Sequence, residues 1–253
     1  MGAGHGHQLH FHGHSPVHRM PAHLKLLSLL SFIVLVVATP REQYWAFVVY
    51  ALLLAGVVAI SGVPAGYLLR RMVVEVPFVV FAALMPFVAT GPRVQVGPFT
   101  VSEAGLLAAW GLLAKGTLGV LASLTLGATT EPRDLLLGLE RLRLPHQLVQ
   151  IMGFMMRYLE VVTDELRRMR IARESRGFTA TSVRAWPALG STAGALFIRS
   201  YERGERIHLA MLSRGYNGRL PVTHQAAATP AQWAQAGILP ALALATAVLA
   251  VAL

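Results

Sequence analysis

The chain has 253 residues, 55% of them hydrophobic and only 13% charged, with a mean hydropathy of +0.54. A soluble domain carries about 25% charged residues, so a water-coated globule is not the first reading. Twenty-two Lys and Arg oppose twelve Asp and Glu, a formal charge of +10. The absence of cysteine excludes a disulfide framework, a thiol nucleophile and a Cys-ligated metal centre.

The charge is unevenly placed. Residues 1–127 hold 7 basic and 3 acidic side chains, residues 128–230 hold 15 and 9, and residues 231–253 hold none. This divides the chain into a His-rich tail over 1–20, a membrane domain over 21–127, a charged helical block over 128–230 and a final apolar segment over 231–253.

The tail carries His5, His7, His10, His12 and His14. Imidazoles in this alternation chelate Co2+, Ni2+, Zn2+ or Cu2+. A floppy tail makes a weak, unselective site, suited to buffering rather than to transport. The bland reading is a polar tail with no ligand.

Spanning about 30 Å of hydrocarbon takes about 20 apolar residues. Four stretches qualify before residue 128: 21–39, 44–62, 72–90 and 102–125. A fifth covers 231–253. A signal peptide cleaved near Ala38 is the weaker reading of the first, since its long His-rich lead is unlike a short basic n-region. The Arg-rich block fixes the cytoplasmic side. Counting back puts a turn at Arg70 and Arg71 and the N-terminus inside, and the C-terminus outside. The outer loop 91–100 reads as a hairpin or irregular turn. Glu75 and Glu103 are expected at span ends, touching headgroups or water. Lys115 lies deeper and either snorkels or faces a packed interior.

In Thr129-Thr130-Glu131-Pro132-Arg133-Asp134, Thr130 reads as an N-cap and Pro132 as a first-turn residue. The short helix that follows stops at Pro145. Next comes a heptad-type stripe: Leu148, Met152, Met155, Leu159, Val162, Leu166 and Met169, spaced alternately by four and three. The opposite face is charged, so this helix does not span. Its stripe must lie on another helix, a membrane surface or a partner. The next two positions of the row are Arg173 and Arg176, followed by Gly177 as a helix stop. A second helix over 188–213 ends alike. Ala172-Arg-Glu-Ser-Arg-Gly-Phe178 and Ala210-Met-Leu-Ser-Arg-Gly-Tyr216 share the pattern Ala-x-x-Ser-Arg-Gly-aromatic. One copy is explained by an Arg favouring the helix dipole. Two copies suggest a pair of exposed guanidinium forks that suit a partner's carboxylates and carbonyls.

This pair resembles the double Ala-Arg-Gly signature of the transmembrane T component of energy-coupling-factor (ECF) transporters, and within that family the His-rich tail points to the cobalt/nickel (CbiQ-like) branch. The segment from Thr129 to Pro145 resembles that family's lead-in, and the layout agrees along nearly the whole length. The resemblance implies an all-α polytopic membrane protein with about five transmembrane helices and crossing cytoplasmic coupling helices. It implies a scaffold in the bacterial cytoplasmic membrane that couples two cytoplasmic ABC ATPases to a membrane substrate-binding subunit. On it, Arg176 and Arg214 enter grooves of the ATPases, with Ala172, Gly177, Ala210 and Gly215 completing the motifs. Arg173 is counted with the ATPase-docking residues too, although it matches in the first copy alone, the second having Met211 there. ATP and Mg2+ would belong to the partners, this chain would bind no cofactor, and Co2+ or Ni2+ would be the cargo. The alternatives are a vitamin-type ECF component or a self-contained secondary transporter. The latter needs midplane polar residues, for which only Lys115 qualifies clearly.

An enzyme is disfavoured. The chain has no G-x-x-x-x-G-K-[ST], H-E-x-x-H or G-x-S-x-G. Asp164 and Glu165, beside Arg167 and Arg168, read as an ordinary charged face. Nucleic-acid binding is disfavoured because acids interleave the basic face.

Overall fold

The computed structural model describes residues 11, 13, 15–96, 99–178, 186–218 and 228–252. The described residues are almost entirely helical, and they cluster into two compact units. One comprises Met1–Leu142 with Ala226–Leu253, the other Arg143–Gln225. The division after Leu142 falls inside the charged block that the sequence marks over 128–230.

The first unit opens with one turn, α1 (Pro16–Arg19), and the apolar α2 (Ala22–Ala38). At 17 residues, α2 is about 26 Å long, slightly short of a full crossing. Helix α3 (Tyr44–Ser61) stops at Gly62. Next, α4 (Ala65–Arg71), a 3-10 turn (Met72–Glu75) and α5 (Val76–Val88) follow without interruption. Together they make one apolar stretch, Ala65–Val88, of 24 residues. This corrects the expected span start at residue 72. Arg70 and Arg71 lie within α4 rather than in a turn, and the Arg71 guanidinium sits 4.5 Å from the Tyr67 ring centroid. Pro77 falls at the start of α5, where its missing N–H costs no helical bond. The proline therefore tightens the junction to a 3-10 turn instead of ending the helix.

Strands β1 (Arg93–Val96) and β2 (Phe99–Ser102) pair antiparallel, in register Arg93↔Ser102 through Val96↔Phe99, which favours the hairpin of the two readings open for this loop. Ser102 then caps α6 (Glu103–Thr129), its Oγ accepting from the Gly105 amide at 3.4 Å. Helix α6 is the centre of the unit and packs against α2, α3, α4 and α5. Helix α10 (Pro230–Ala252) lies on α2 and α3. Phe32, Val36, Phe47, Tyr50, Leu54, Leu118, Ala122 and Ala243 meet in the core. Large apolar side chains such as Leu52, Val73, Phe81, Val88 and Val248 face outward. That inversion of the soluble pattern fits a lipid-facing surface. Among the described residues, α3, the Ala65–Val88 stretch, α6 and α10 are long and apolar enough to cross a membrane, and α2 is a shorter apolar helix.

One end of the bundle is closed by polar contacts. Lys25, only 6% exposed, donates from Nζ to the Thr129 carbonyl at 2.7 Å, Thr130 Oγ1 at 3.2 Å and the His18 carbonyl at 3.3 Å. An amine at the negative end of α6 satisfies carbonyls that a helix leaves open. Thr130 is thereby the C-cap of α6, which corrects its reading as an N-cap. Helix α7 (Pro132–Arg141) begins after Glu131, with no side-chain cap. It lies on α2, where Gly138 is essential to the fit: a Cβ there would stand 2.9 Å from the His23 amide nitrogen.

The second unit consists of α8 (His146–Glu174) and α9 (Trp186–Leu212). Three contacts fix their direction. Arg173 meets Thr192, Glu165 meets Arg199, and Gln150 meets Tyr216. Positions descending α8 pair with positions ascending α9, so the helices run antiparallel.

Candidate functional site

The two Ala-x-x-Ser-Arg-Gly-aromatic segments adopt the same geometry. After α8, the Ser175 amide donates to the Ile171 carbonyl at 2.9 Å, Arg176 to Arg173 at 3.1 Å, Gly177 to Glu174 at 3.0 Å and Phe178 to Arg173 at 3.3 Å. After α9, Ser213 donates to Leu209, Arg214 to Met211, Gly215 to Leu212 and Tyr216 to Met211, all at 3.0 Å. The bonds from the glycines and the aromatics are the 5→2 and 6→1 pair of a Schellman stop. Each serine hydroxyl adds a 3.0 Å bond, Ser175 to the Ala172 carbonyl and Ser213 to the Ala210 carbonyl. Gly177 has φ +76° and Gly215 φ +82°, the left-handed region in which a Cβ is costly.

The stops leave Arg176 and Arg214 exposed, just beyond the last helical residues. The sequence places Arg176 on the apolar row of α8. In the structure α8 ends at Glu174, and Arg176 projects from the turn. Because α8 and α9 are antiparallel, the two arginines stand at opposite ends of the pair. With 27 residues, α9 is about 40 Å long, so the forks are tens of ångströms apart.

Arg173 differs from both. It is half-buried, and its Nη1 donates to Thr192 Oγ1 at 3.0 Å. Its Cζ lies 5.4 Å from the Phe178 ring centroid.

The α8 stripe is only partly covered. Met155 is 65% and Leu159 62% exposed. With Val162, they line an open cleft of about 620 Å³ shared with Arg203, Gly204, Ile207 and Met211 of α9. Leu148 and Leu166 are exposed, Met152 and Met169 intermediate, and Val149 alone on α8 is buried.

One charged residue sits differently from expectation. Glu75 is not at a span end: it is 5% exposed at the 3-10 turn. There its Oε1 accepts from Thr117 Oγ1 of α6. The corrected start of the span moves Glu75 toward its middle, which forces burial against a hydrogen-bond donor. Lys115 donates to the Val37 carbonyl at 2.7 Å, where α2 ends. Glu103 is exposed at the first turn of α6, as expected.

Sequence reading missed the clamp between the paired helices. Glu165 accepts from Arg168 Nη2 at 2.9 Å and from Arg199 Nη1. These two arginines hold its carboxyl below the usual carboxylate range, Arg168 first. Only the i,i+3 Arg168 partner was visible in the sequence. Gln150 was missed as well. Its Oε1 accepts from Tyr216 Oη at 2.8 Å, and its Nε2 donates to the Gly218 carbonyl at 3.2 Å.

His5, His7, His10, His12 and His14 lie outside the described residues. Among the described residues no three His, Cys, Asp or Glu side chains gather in a way that could hold a metal ion.

The apolar bundle and the charged, Arg-tipped helix pair define an all-α, multi-pass membrane protein. The CbiQ family, described as cobalt transport protein, matches residues 13–225, and the chain belongs to that family. It is 29% identical over 220 residues to the energy-coupling factor transporter transmembrane protein EcfT of Bacillus subtilis, covering 81% of this chain and 82% of the relative. The EcfT protein of Brevibacillus brevis is 31% identical over 224 residues, with 81% and 82% covered. A fused cobalt transport protein, CbiMQ, of Methanocorpusculum labreanum is 26% identical over 212 residues, covering 81% of this chain and 35% of that longer relative.

Proposed function

We propose that this chain is the T component of an ATP-driven ECF-type importer for cobalt or nickel ions. It couples two cytoplasmic ABC ATPases, which bind ATP and Mg2+, to a separate membrane substrate-binding subunit. The observation that carries this reading is the duplicated helix stop. Two identical turns at opposite ends of one antiparallel pair offer two equivalent arginine forks. A scaffold that must engage two similar ATPase subunits needs such a duplication, and a single-partner adaptor does not.

Each fork has the chemistry of an interface anchor. Arg presents five donors in a plane that suits carboxylates and carbonyls, and it is enriched at interface hot spots. The cation cargo is supported by the cobalt description of the family and by the fused CbiMQ relative. The His-rich tail would supply buffering at His5, His7, His10, His12 and His14. The Arg-rich helix pair would be cytoplasmic, with the N-terminus inside and the C-terminus outside. A self-contained transporter is less well supported, because Lys115 and Glu75 are both engaged in helix-to-helix hydrogen bonds.

The test is co-purification of the assembled transporter carrying Arg176→Glu together with Arg214→Glu. The doubly substituted chain stays in the membrane and loses both ATPases. Retention of both at normal stoichiometry contradicts the docking assignment.

A further inference from the structure

We propose that Arg173 is a positioning residue: it braces the first helix stop against α9, and Tyr216 performs the same task for the second stop. The inference rests on the docking role of Arg176 and Arg214 only for its consequence in assembly. The brace itself stands on geometry.

Arg173 ties together three pieces of chain. Its carbonyl accepts from the Phe178 amide at 3.3 Å, closing the stop. Its guanidinium lies 5.4 Å from the Phe178 ring centroid, within range of a cation–π contact. Its Nη1 donates to Thr192 Oγ1 at 3.0 Å, and that hydroxyl donates in turn to the Ala188 carbonyl at 2.8 Å. The threonine is thereby oriented to accept. Nε of Arg173 is buried with no hydrogen-bond partner, so it is closed to an incoming carboxylate. A guanidinium with one nitrogen bonded to α9 and another sealed off does not present the open fork that Arg176 presents.

The second copy shows why the unmatched position is not merely a lost arginine. Met211 stands where Arg173 does, and its carbonyl accepts the equivalent bond from Tyr216 at 3.0 Å. Thioether and guanidinium differ, yet this stop is also tied to the facing helix. Tyr216 Oη donates to Gln150 Oε1 of α8 at 2.8 Å, and Gln150 Nε2 donates to the Gly218 carbonyl at 3.2 Å. In one copy the polar tie comes from the residue five before the aromatic, with Phe as the aromatic. In the other it comes from the aromatic itself, with Met five residues before. Arg173 with Phe178, and Met211 with Tyr216, are two solutions to one task. That task is to fix each arginine tip relative to the helix across from it.

The experiment uses the full chain, whose lack of native cysteine allows clean spin labelling. Labels at Ile171→Cys and Ser191→Cys report the α8–α9 distance at the Arg173 end. Arg173→Met and Thr192→Val each broaden that distance distribution, and the two together broaden it no further, because they break one shared bond. Arg176→Glu leaves the distribution unchanged. In the assembled transporter, Arg173→Met weakens ATPase retention on the order of tenfold, the size expected for one charge-assisted bond, whereas Arg176→Glu abolishes retention at that tip. Two results overturn the proposal. One is an unchanged distance distribution in both Arg173→Met and Thr192→Val. The other is complete loss of the ATPase in Arg173→Met with the distance preserved, which would make Arg173 a docking residue. If Arg176→Glu retains its ATPase, the docking reading fails while the brace is still judged by the distances.

Discussion

At the scale of single residues, the informative side chains are those whose partner lies far away in sequence. Glu165 is the clearest case. Its i,i+3 neighbour Arg168 is legible from spacing alone, but its contact with Arg199 requires α9 to lie antiparallel beside α8. Both arginines favour the ionised carboxyl, so its value is lowered in the folded state. A group with a depressed folded value contributes its stabilisation above the ordinary carboxylate range and loses it as pH falls through the lowered value. The α8–α9 clamp therefore holds at neutral pH and loosens on acidification below the usual carboxylate range. Hydrogen exchange at the middle of α9 checks this: protection falls with acid in the parent chain, and Glu165→Gln removes that acid-dependent step. A step that persists in Glu165→Gln would assign it to another group. Lys25 and Glu75 teach the same lesson in the membrane unit. Each is an isolated ionisable residue in an apolar run, and no periodicity announces the Thr129 carbonyl that accepts from Lys25 or the Thr117 hydroxyl that donates to Glu75.

At the scale of elements, the spans, the hairpin and the two helix stops were legible because each is set by local chemistry. Apolar length gives the spans. The turn residues of 91–100 give the hairpin. Ser-Arg-Gly followed by an aromatic gives a Schellman stop twice over. What was not legible were junctions decided by tertiary contact. Thr130 has the composition of an N-cap but is recruited by Lys25 to close α6. Arg70 and Arg71 look like a turn, yet α4 runs through them into α5. Helix α7 carries the charges of the Arg-rich block but packs with the membrane unit. Its seat on α2 depends on Gly138, where a Cβ would meet backbone rather than a movable side chain. Gly138→Leu therefore costs about 1–3 kcal/mol through overpacking and lowers the thermal midpoint of the detergent-solubilised protein. A midpoint equal to the parent's would show that α7 is not seated there.

At the scale of the molecule, a chain with too few charges for solubility concentrates a net +6 in residues 128–230. The paired helices α8 and α9 carry +2 of that surplus, and the two equivalent turns that end them add one exposed arginine each. Family membership explains the apolar bundle and the general layout; the duplicated turn marks the proposed points of assembly. In the proposed function the two tips meet two ATPase subunits. Site-specific cross-linking in the assembled transporter tests it most directly, with Ser175→Cys or Ser213→Cys as the sole cysteine of this chain and a short bifunctional reagent. The expected result is that each position cross-links to an ATPase subunit, one copy per tip, and that the two together capture both copies on one chain. Cross-links confined to the membrane substrate-binding subunit, or none to an ATPase from either tip, would contradict it.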